Sequence, residues 1–174
     1  MKNVMIDLET LGTKPGSVIL SIGAVKFGKE GLGDEFYAAI ELDSATRSGL
    51  TIDASTVAWW MDQSEEARKV FTESPRDPLF AALKNLQTYL RKGCTESDVK
   101  IWGNGADFDN VLLAAAYDVV NLPVPWKFYN NRCYRTMKSM SAVPKPDREG
   151  VHHNALDDAK YQALHLVSIL NGGR

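Results

Sequence analysis

Val4-Met5-Ile6-Asp7-Leu8-Glu9, close to the N-terminus, sets Val4, Ile6 and Leu8 against Met5, Asp7 and Glu9. That is the period-two alternation of a β-strand, with the aliphatic set turned to a core. Residues 12–16, with Pro15, read as a turn, and residues 17–27, dense in Val and Ile, as a second strand. Residues 28–33 make a hairpin-like connection into a third strand over 35–42. The opening quarter therefore reads as an antiparallel meander.

The middle of the chain turns helical. Asp53 caps a helix carrying Val57, Trp60 and Met61, and Ser64, followed by Glu65 and Glu66, caps another. The clearest helix starts near Asp77 with Pro78 at its first position. It shows Leu79, Phe80, Leu83, Leu86 and Leu90 on one face and Gly93 just past its end. Residues 99–102 form a short strand that passes through Gly103-Asn104-Gly105 into a helix over 108–119. Residues 122–126 are a stiff connection, and residues 142–152, with Pro144, Pro146 and Gly150, are a loop. The last helix, over 154–170, buries Leu156, Ala159, Ala163, Leu170 and either Leu166 or Val167. Strands first, then helices alternating with strands, predict an α/β fold: a mixed sheet flanked by helices.

Composition narrows the class. At 174 residues, 44% hydrophobic and 24% charged, the chain suits a single domain, 1–174, with a real core. It excludes a disordered tail, a collagen-like repeat and a coiled coil. No run approaches the ~18 apolar residues of a membrane span. With an acid at position 7 there is no secretory apolar segment, and two cysteines make no disulfide framework, so the expected location is cytoplasmic. Lys plus Arg is 20 and Asp plus Glu 22, a formal charge of 20 − 22 = −2. Such a chain does not grip nucleic acid by bulk charge; it needs a local site, with cations offsetting its own carboxylates.

Three clusters carry chemistry. Asp7 and Glu9 stand two apart on a strand, so both carboxylates leave one face, and a hard divalent cation would relieve their repulsion. The competing reading is a solvated strand face, because 22 acids in 174 positions give about three such pairs by chance. Asp107 and Asp109 repeat the spacing where a strand becomes a helix, a common place for sites on mixed sheets. Asp107 reads best there as a helix cap, and Asn104 alone as a turn residue. In Val151-His152-His153-Asn154-Ala155-Leu156-Asp157-Asp158 the acids also suit a helix dipole. A histidine on a loop beside a metal-bound carboxylate suits general-base work, since it titrates near neutrality; His152 reads as a surface residue.

Taken together, Asp7-x-Glu9, Asn104-x-x-x-Phe108-Asp109 and His153-x-Ala155-x-x-Asp158 resemble the three motifs of the DEDDh 3′–5′ exonucleases, over residues 4–168. Residues 51–60, Thr-Ile-Asp-Ala-Ser-Thr-Val-Ala-Trp-Trp, look like a bacterial and phage subgroup that includes exonuclease-VIII-like proteins and small exoribonucleases. The resemblance implies a ribonuclease H-like fold, a five-stranded mixed sheet flanked by helices. It implies hydrolysis of the terminal phosphodiester of single-stranded or 3′-overhanging RNA or DNA, releasing nucleoside 5′-monophosphates. Two Mg²⁺ or Mn²⁺ ions are implied: Asp7 bridging both, Glu9 and Asp158 on the ion that carries the attacking water, and Asp109 on the other. His153 would accept the water's proton. Two ions about 4 Å apart stabilise both the attacking and the leaving oxygen, and four carboxylates balance their charge.

The same resemblance makes Thr10 and Leu11 candidates for the last nucleotide, with Leu11 wedged on its base. Asn104, Phe108 and Trp60 extend the candidate substrate contacts, the aromatic rings as a stacking surface. Trp59 and Trp60 point about 100° apart on a helix, so one faces the site and the other the core. Arg132, Arg135 and Lys138 form a small basic group that reads best as solvated surface. The implied partner is nucleic acid with a free 3′ end, without a membrane; a homodimer is compatible, with Trp126 and its Pro-rich connection as the candidate surface. Two rival readings stand beside the exonuclease: an inactive nucleic-acid-binding module of the same fold, and another two-metal hydrolase, either an endonuclease or a nucleotide phosphatase. RNA and DNA are not separated at this level.

Overall fold

β1 (Asn3–Thr10) runs through the middle of a five-stranded sheet and has a helical layer on each face. The structure is a computed structural model and describes residues 1–105 and 107–172. β2 (Ile19–Gly28) and β3 (Gly31–Ala39) complete the antiparallel meander. Four helices follow: α1 (Leu42–Arg47), α2 (Ala54–Met61), α3 (Glu65–Arg68) and α4 (Leu79–Arg91). β4 (Lys100–Gly103) then joins β1 in parallel, α5 (Asp109–Val119) packs behind it, and β5 (Asn131–Cys133) adds a parallel edge. α6 (Tyr134–Ser139) and α7 (Ala155–Leu170) finish the chain. The sheet order is β3-β2-β1-β4-β5, the mixed sheet expected.

Each face of β1 has its own core. Val4, Ile6 and Leu8 pack with Leu83 and Leu86 of α4 and Leu112 and Leu113 of α5. Met5 packs with Val25, Phe27, Ala159, Ala163 and Leu166, under α7. The alternation in β1 therefore does not divide core from solvent. Asp7 and Glu9 continue the Met5 row to the end of α7, and Glu9 is only 5% exposed. The solvated-face reading of this pair fails for that reason.

Local signals set most helix starts. Asp53 accepts hydrogen bonds from the Ser55 and Thr56 amides, and Ser64 accepts one from Ala67, each satisfying free first-turn donors. Pro78 is the N-cap of α4 rather than its first residue. Phe80 is half exposed, because the buried stripe runs Leu79, Leu83, Leu86 and Leu90, and Phe80 lies about 100° from Leu79. β3 begins at Gly31, four residues before the expected strand, because Gly28 already pairs with Gly31 across a two-residue turn. α7 seats small residues, Ala155, Ala159 and Ala163, on the sheet, and leaves Leu170 exposed and Leu156 half-buried. Trp126 is core, packed on Tyr117 with its Nε1 donating to Asn131 Oδ1 at 2.9 Å, so it offers no dimer surface. Among the described residues, no helix is long and apolar enough to cross a membrane.

Candidate active site

Sheet topology gathers the acids. Asp7 and Glu9 lie at the C-terminal end of β1, Asp109 opens α5 just after the parallel neighbour β4, and Asp158 sits in the first turn of α7. Carboxylate oxygens of Asp7, Glu9 and Asp158 lie within 4.8 Å of one another. Asp109 faces the same cleft, 2% exposed, held by the Leu8 amide at 3.2 Å and the Asn104 amide at 2.8 Å. It thus ties the first strand to the turn after β4. The cleft has a volume of about 660 Å³.

Burial raises the proton affinity of three of the acids. Burial, then the charges of Asp109, Glu9 and Asp158, pushes Asp7 well above the usual carboxylate range, against the Gln162 amide, which donates to Asp7 Oδ1 at 2.7 Å. Burial, with Asp158 and Asp109 behind it, pushes Glu9 up to about 8. Burial also pushes Asp109 up to about 6, against the two amides that hold it. The guanidinium of Arg148 bonds Asp158 Oδ1 and stands over the Tyr161 ring, 5.0 Å from its centroid. Its charge also favours ionised Glu9, against burial and the neighbouring acids. Four clustered carboxylates are the hard oxygen donors that Mg²⁺ or Mn²⁺ takes, so the residues fit a divalent metal.

The histidine loop is held by specific contacts. Asn154 caps α7, accepting from the Leu156 and Asp157 amides, and Asp157 accepts from the Val151 amide at 2.8 Å. Gly150 lies so close to Asp157 that a Cβ would stand 2.4 Å from its Cγ, and its φ of +82° is the left-handed region that glycine tolerates. His153 also has positive φ, +63°, a strained conformation for a non-glycine residue. Its amide donates to Asp158 Oδ2 at 3.2 Å, and its ring meets the Trp59 ring edge-on, centroids 5.0 Å apart. Burial and the neighbouring His152 hold the imidazole below its ordinary value, against the pull of Asp158.

Among the remaining sequence candidates, Thr10, Asn104 and Phe108 line the cleft. Asn104 Oδ1 is buried and, among the described residues, has no hydrogen-bond partner. Leu11 does not reach it: 3% exposed, it joins the core, pinned because its amide donates to Val18 O and its carbonyl accepts from Asp53. Trp59 and Trp60 both line the cleft, and burial separates them. Trp60 is 1% exposed, with its Nε1 donating to Thr10 O at 2.9 Å, whereas Trp59 is 44% exposed beside His153. Asp107 is exposed and does not cap α5; Phe108 holds that position. His152 is exposed but lines the cleft.

Other cleft residues escaped the sequence reading. Gln162 lies four residues after Asp158, one helical turn on, a spacing that could have found it. Arg135 and Lys138 line the cleft rather than open surface, joined by Lys145 and Arg148, while Arg132 turns to the carbonyls of Tyr129 and Asn131.

Solved structures place the fold. The nuclease domain of 3′hExo, a DEDDh family member bound to rAMP, superposes with TM-score 0.65 at 16% identity, over 98% of this chain and 92% of that one. Exonuclease X in complex with 5′ overhanging duplex DNA gives 0.55 at 17%, over 98% and 92%. Cell-death related nuclease 4 gives 0.61 at 14%, over 98% and 64%. At these identities the likeness establishes the fold, the ribonuclease H-like sheet of DEDDh exonucleases. Among curated proteins no sequence matches significantly. Matched over residues 2–170 by the 3′-5′ exoribonuclease Rv2179c-like domain, the chain belongs to that family of 3′-5′ exonucleases.

Proposed function

We propose that residues 1–174 form one catalytic domain, a metal-dependent exonuclease that removes nucleoside 5′-monophosphates from the 3′ end of single-stranded or 3′-overhanging nucleic acid, RNA before DNA. One observation carries the reading: Asp7, Glu9, Asp109 and Asp158, from three distant segments, converge on one cleft with His153 beside them. The preference for RNA is drawn from the family's exoribonuclease description.

Asp7, Glu9, Asp109 and Asp158 would hold two Mg²⁺ or Mn²⁺ ions, which when bound favour attack by water and stabilise both oxygens of an in-line displacement. His153 accepts a proton from the attacking water. Its lowered proton affinity leaves the ring unprotonated at neutral pH, and Asp158 and Trp59 fix its place. The water oxygen bonds to phosphorus, and the bond from phosphorus to the preceding nucleotide's 3′-oxygen breaks. That oxygen takes a proton from solvent and becomes the new 3′-hydroxyl, while the terminal nucleotide leaves with its 5′-phosphate. Trp59 and Phe108 offer rings to the terminal base, and Asn104, which lines the cleft, offers its side-chain amide to a sugar hydroxyl.

Chromatography of the products tests this reading. It expects nucleoside 5′-monophosphates from the first turnover; internal fragments or free phosphate would overturn it.

A further inference from the structure

Arg135 and Lys138 on α6 and Lys145 on the following loop line one side of the cleft, and no described carboxylate forms an ion pair with any of them. Arg135 stands nearest the acids, beside the Gly105 turn, where its charge favours ionised Asp109. Lys138 lies three residues on, on the same helical face, its Nζ 5.3 Å from the Tyr134 ring centroid. Burial first, then the nearby charges of Lys145 and Arg135, hold Lys138 below its ordinary value.

The loop position is anchored. His165, 1% exposed, bonds the Tyr134 hydroxyl at 2.7 Å and the Val143 carbonyl at 3.0 Å. A carbonyl only accepts, so Nε2 donates there, and Nδ1 accepts the hydrogen bond of the Tyr134 hydroxyl. α6, α7 and the loop are thereby clipped together, two residues from Lys145. Like charges assembled in a cleft without ion-pair partners among the described residues fit a ligand that carries regularly spaced negative charge.

We propose that Arg135, Lys138 and Lys145 form a phosphate track for the strand upstream of the scissile bond, favouring single strands of three or more nucleotides over a dinucleotide. The proposal rests on the 3′-exonuclease reading. A strand that ends in the cleft has every phosphate except the scissile one on its 5′ side, so cations beyond the carboxylates face the retained strand and not the departing nucleotide. A dinucleotide with a 5′-hydroxyl carries only the scissile phosphate and leaves the track empty. Each added nucleotide brings one more phosphate to it.

The test is competition binding in Mg²⁺ with the Glu9→Gln protein, in which unlabelled 5′-hydroxyl RNAs of two, three, four and six nucleotides displace a labelled tracer. The expected affinity gain from dinucleotide to tetranucleotide is about tenfold or more, falling steeply with salt. Adding Lys138→Gln and Lys145→Gln should cut that gain to about threefold or less, lower the salt slope by about two, and leave dinucleotide affinity within about twofold. An equal gain in both proteins, or an equal loss on the dinucleotide, would overturn the track. Absence of 3′ shortening by the unmutated protein would instead overturn the exonuclease reading, and the binding comparison does not depend on it.

Discussion

Gly23 of β2 lies directly against Ala155, the first residue of α7: a Cβ on Gly23 would stand 2.1 Å from the Ala155 carbonyl carbon. Gly23 is also the residue paired with Asp7 across the sheet. One strand position thus seats the helix that carries Asp158 beside the strand that carries Asp7 and Glu9. The missing side chain at position 23 sets how closely the carboxylates can approach.

Gly23→Ala should therefore push α7 away from β2. Overpacking of this kind costs about 1–3 kcal/mol. Hydrolysis should fall further than that loss accounts for, because misplacement of about 1 Å can cost on the order of 100-fold. Urea unfolding and initial rates measure the two effects; full activity in a folded Gly23→Ala protein would contradict this role.

Metal-free stability should fall with rising pH. Glu9 titrates near 4.5 unperturbed and is pushed up to about 8 by burial, Asp158 and Asp109. Between those values the native protein keeps a proton that the unfolded chain has released, so each rise in pH favours unfolding. In EDTA, Tm should drop from about pH 5 to 8, and Glu9→Gln should flatten the slope. Mg²⁺ should raise Tm most at the upper end, where the ionised ligands bind it. Thermal melts across pH check all three; a steeper EDTA slope in Glu9→Gln would count against the shift.

Gln162 holds Asp7 from one helical turn beyond Asp158. Gln162→Met keeps the volume and removes the donor. Groups that orient metal ligands typically contribute 10- to 100-fold, so metal affinity by calorimetry should weaken by about that factor while the fold persists. Unchanged affinity would make Gln162 a packing residue only.

The two tryptophans should separate cleanly. Trp60→Ala removes a buried ring and its bond to Thr10 O, and should cost about 3–5 kcal/mol in unfolding experiments. Trp59→Ala should leave stability nearly unchanged and raise KM, by the roughly 1–3 kcal/mol that one stacked base contributes. The reverse pattern would exchange their roles.

Those assignments mark where the sequence stops being informative. Asp7, Glu9, Asp109, His153 and Asp158 are legible as a set because their three spaced clusters together resemble one family's motifs, whereas each cluster alone has an ordinary structural reading. Which tryptophan faces inward is not, since Trp60 is fixed by a carbonyl fifty residues earlier in the chain. Leu11 looks like a turn residue until Val18 and Asp53 bind its backbone. β5 and α6, with three and six residues, are too short to display a period, so the basic residues of α6 could not be placed at the cleft. Arg148 reaches Asp158 only through the fold of its loop.

The most direct measurement incubates 5′-labelled single-stranded RNA with the purified protein in Mg²⁺ or Mn²⁺, beside Asp7→Asn, His153→Gln and EDTA lanes. The account predicts a ladder that shortens one nucleotide at a time from the 3′ end. It predicts that EDTA and Asp7→Asn abolish the ladder, and that His153→Gln slows it about 10²- to 10⁴-fold, the usual contribution of a general base. Internal cleavage, or a ladder that survives Asp7→Asn, would contradict it.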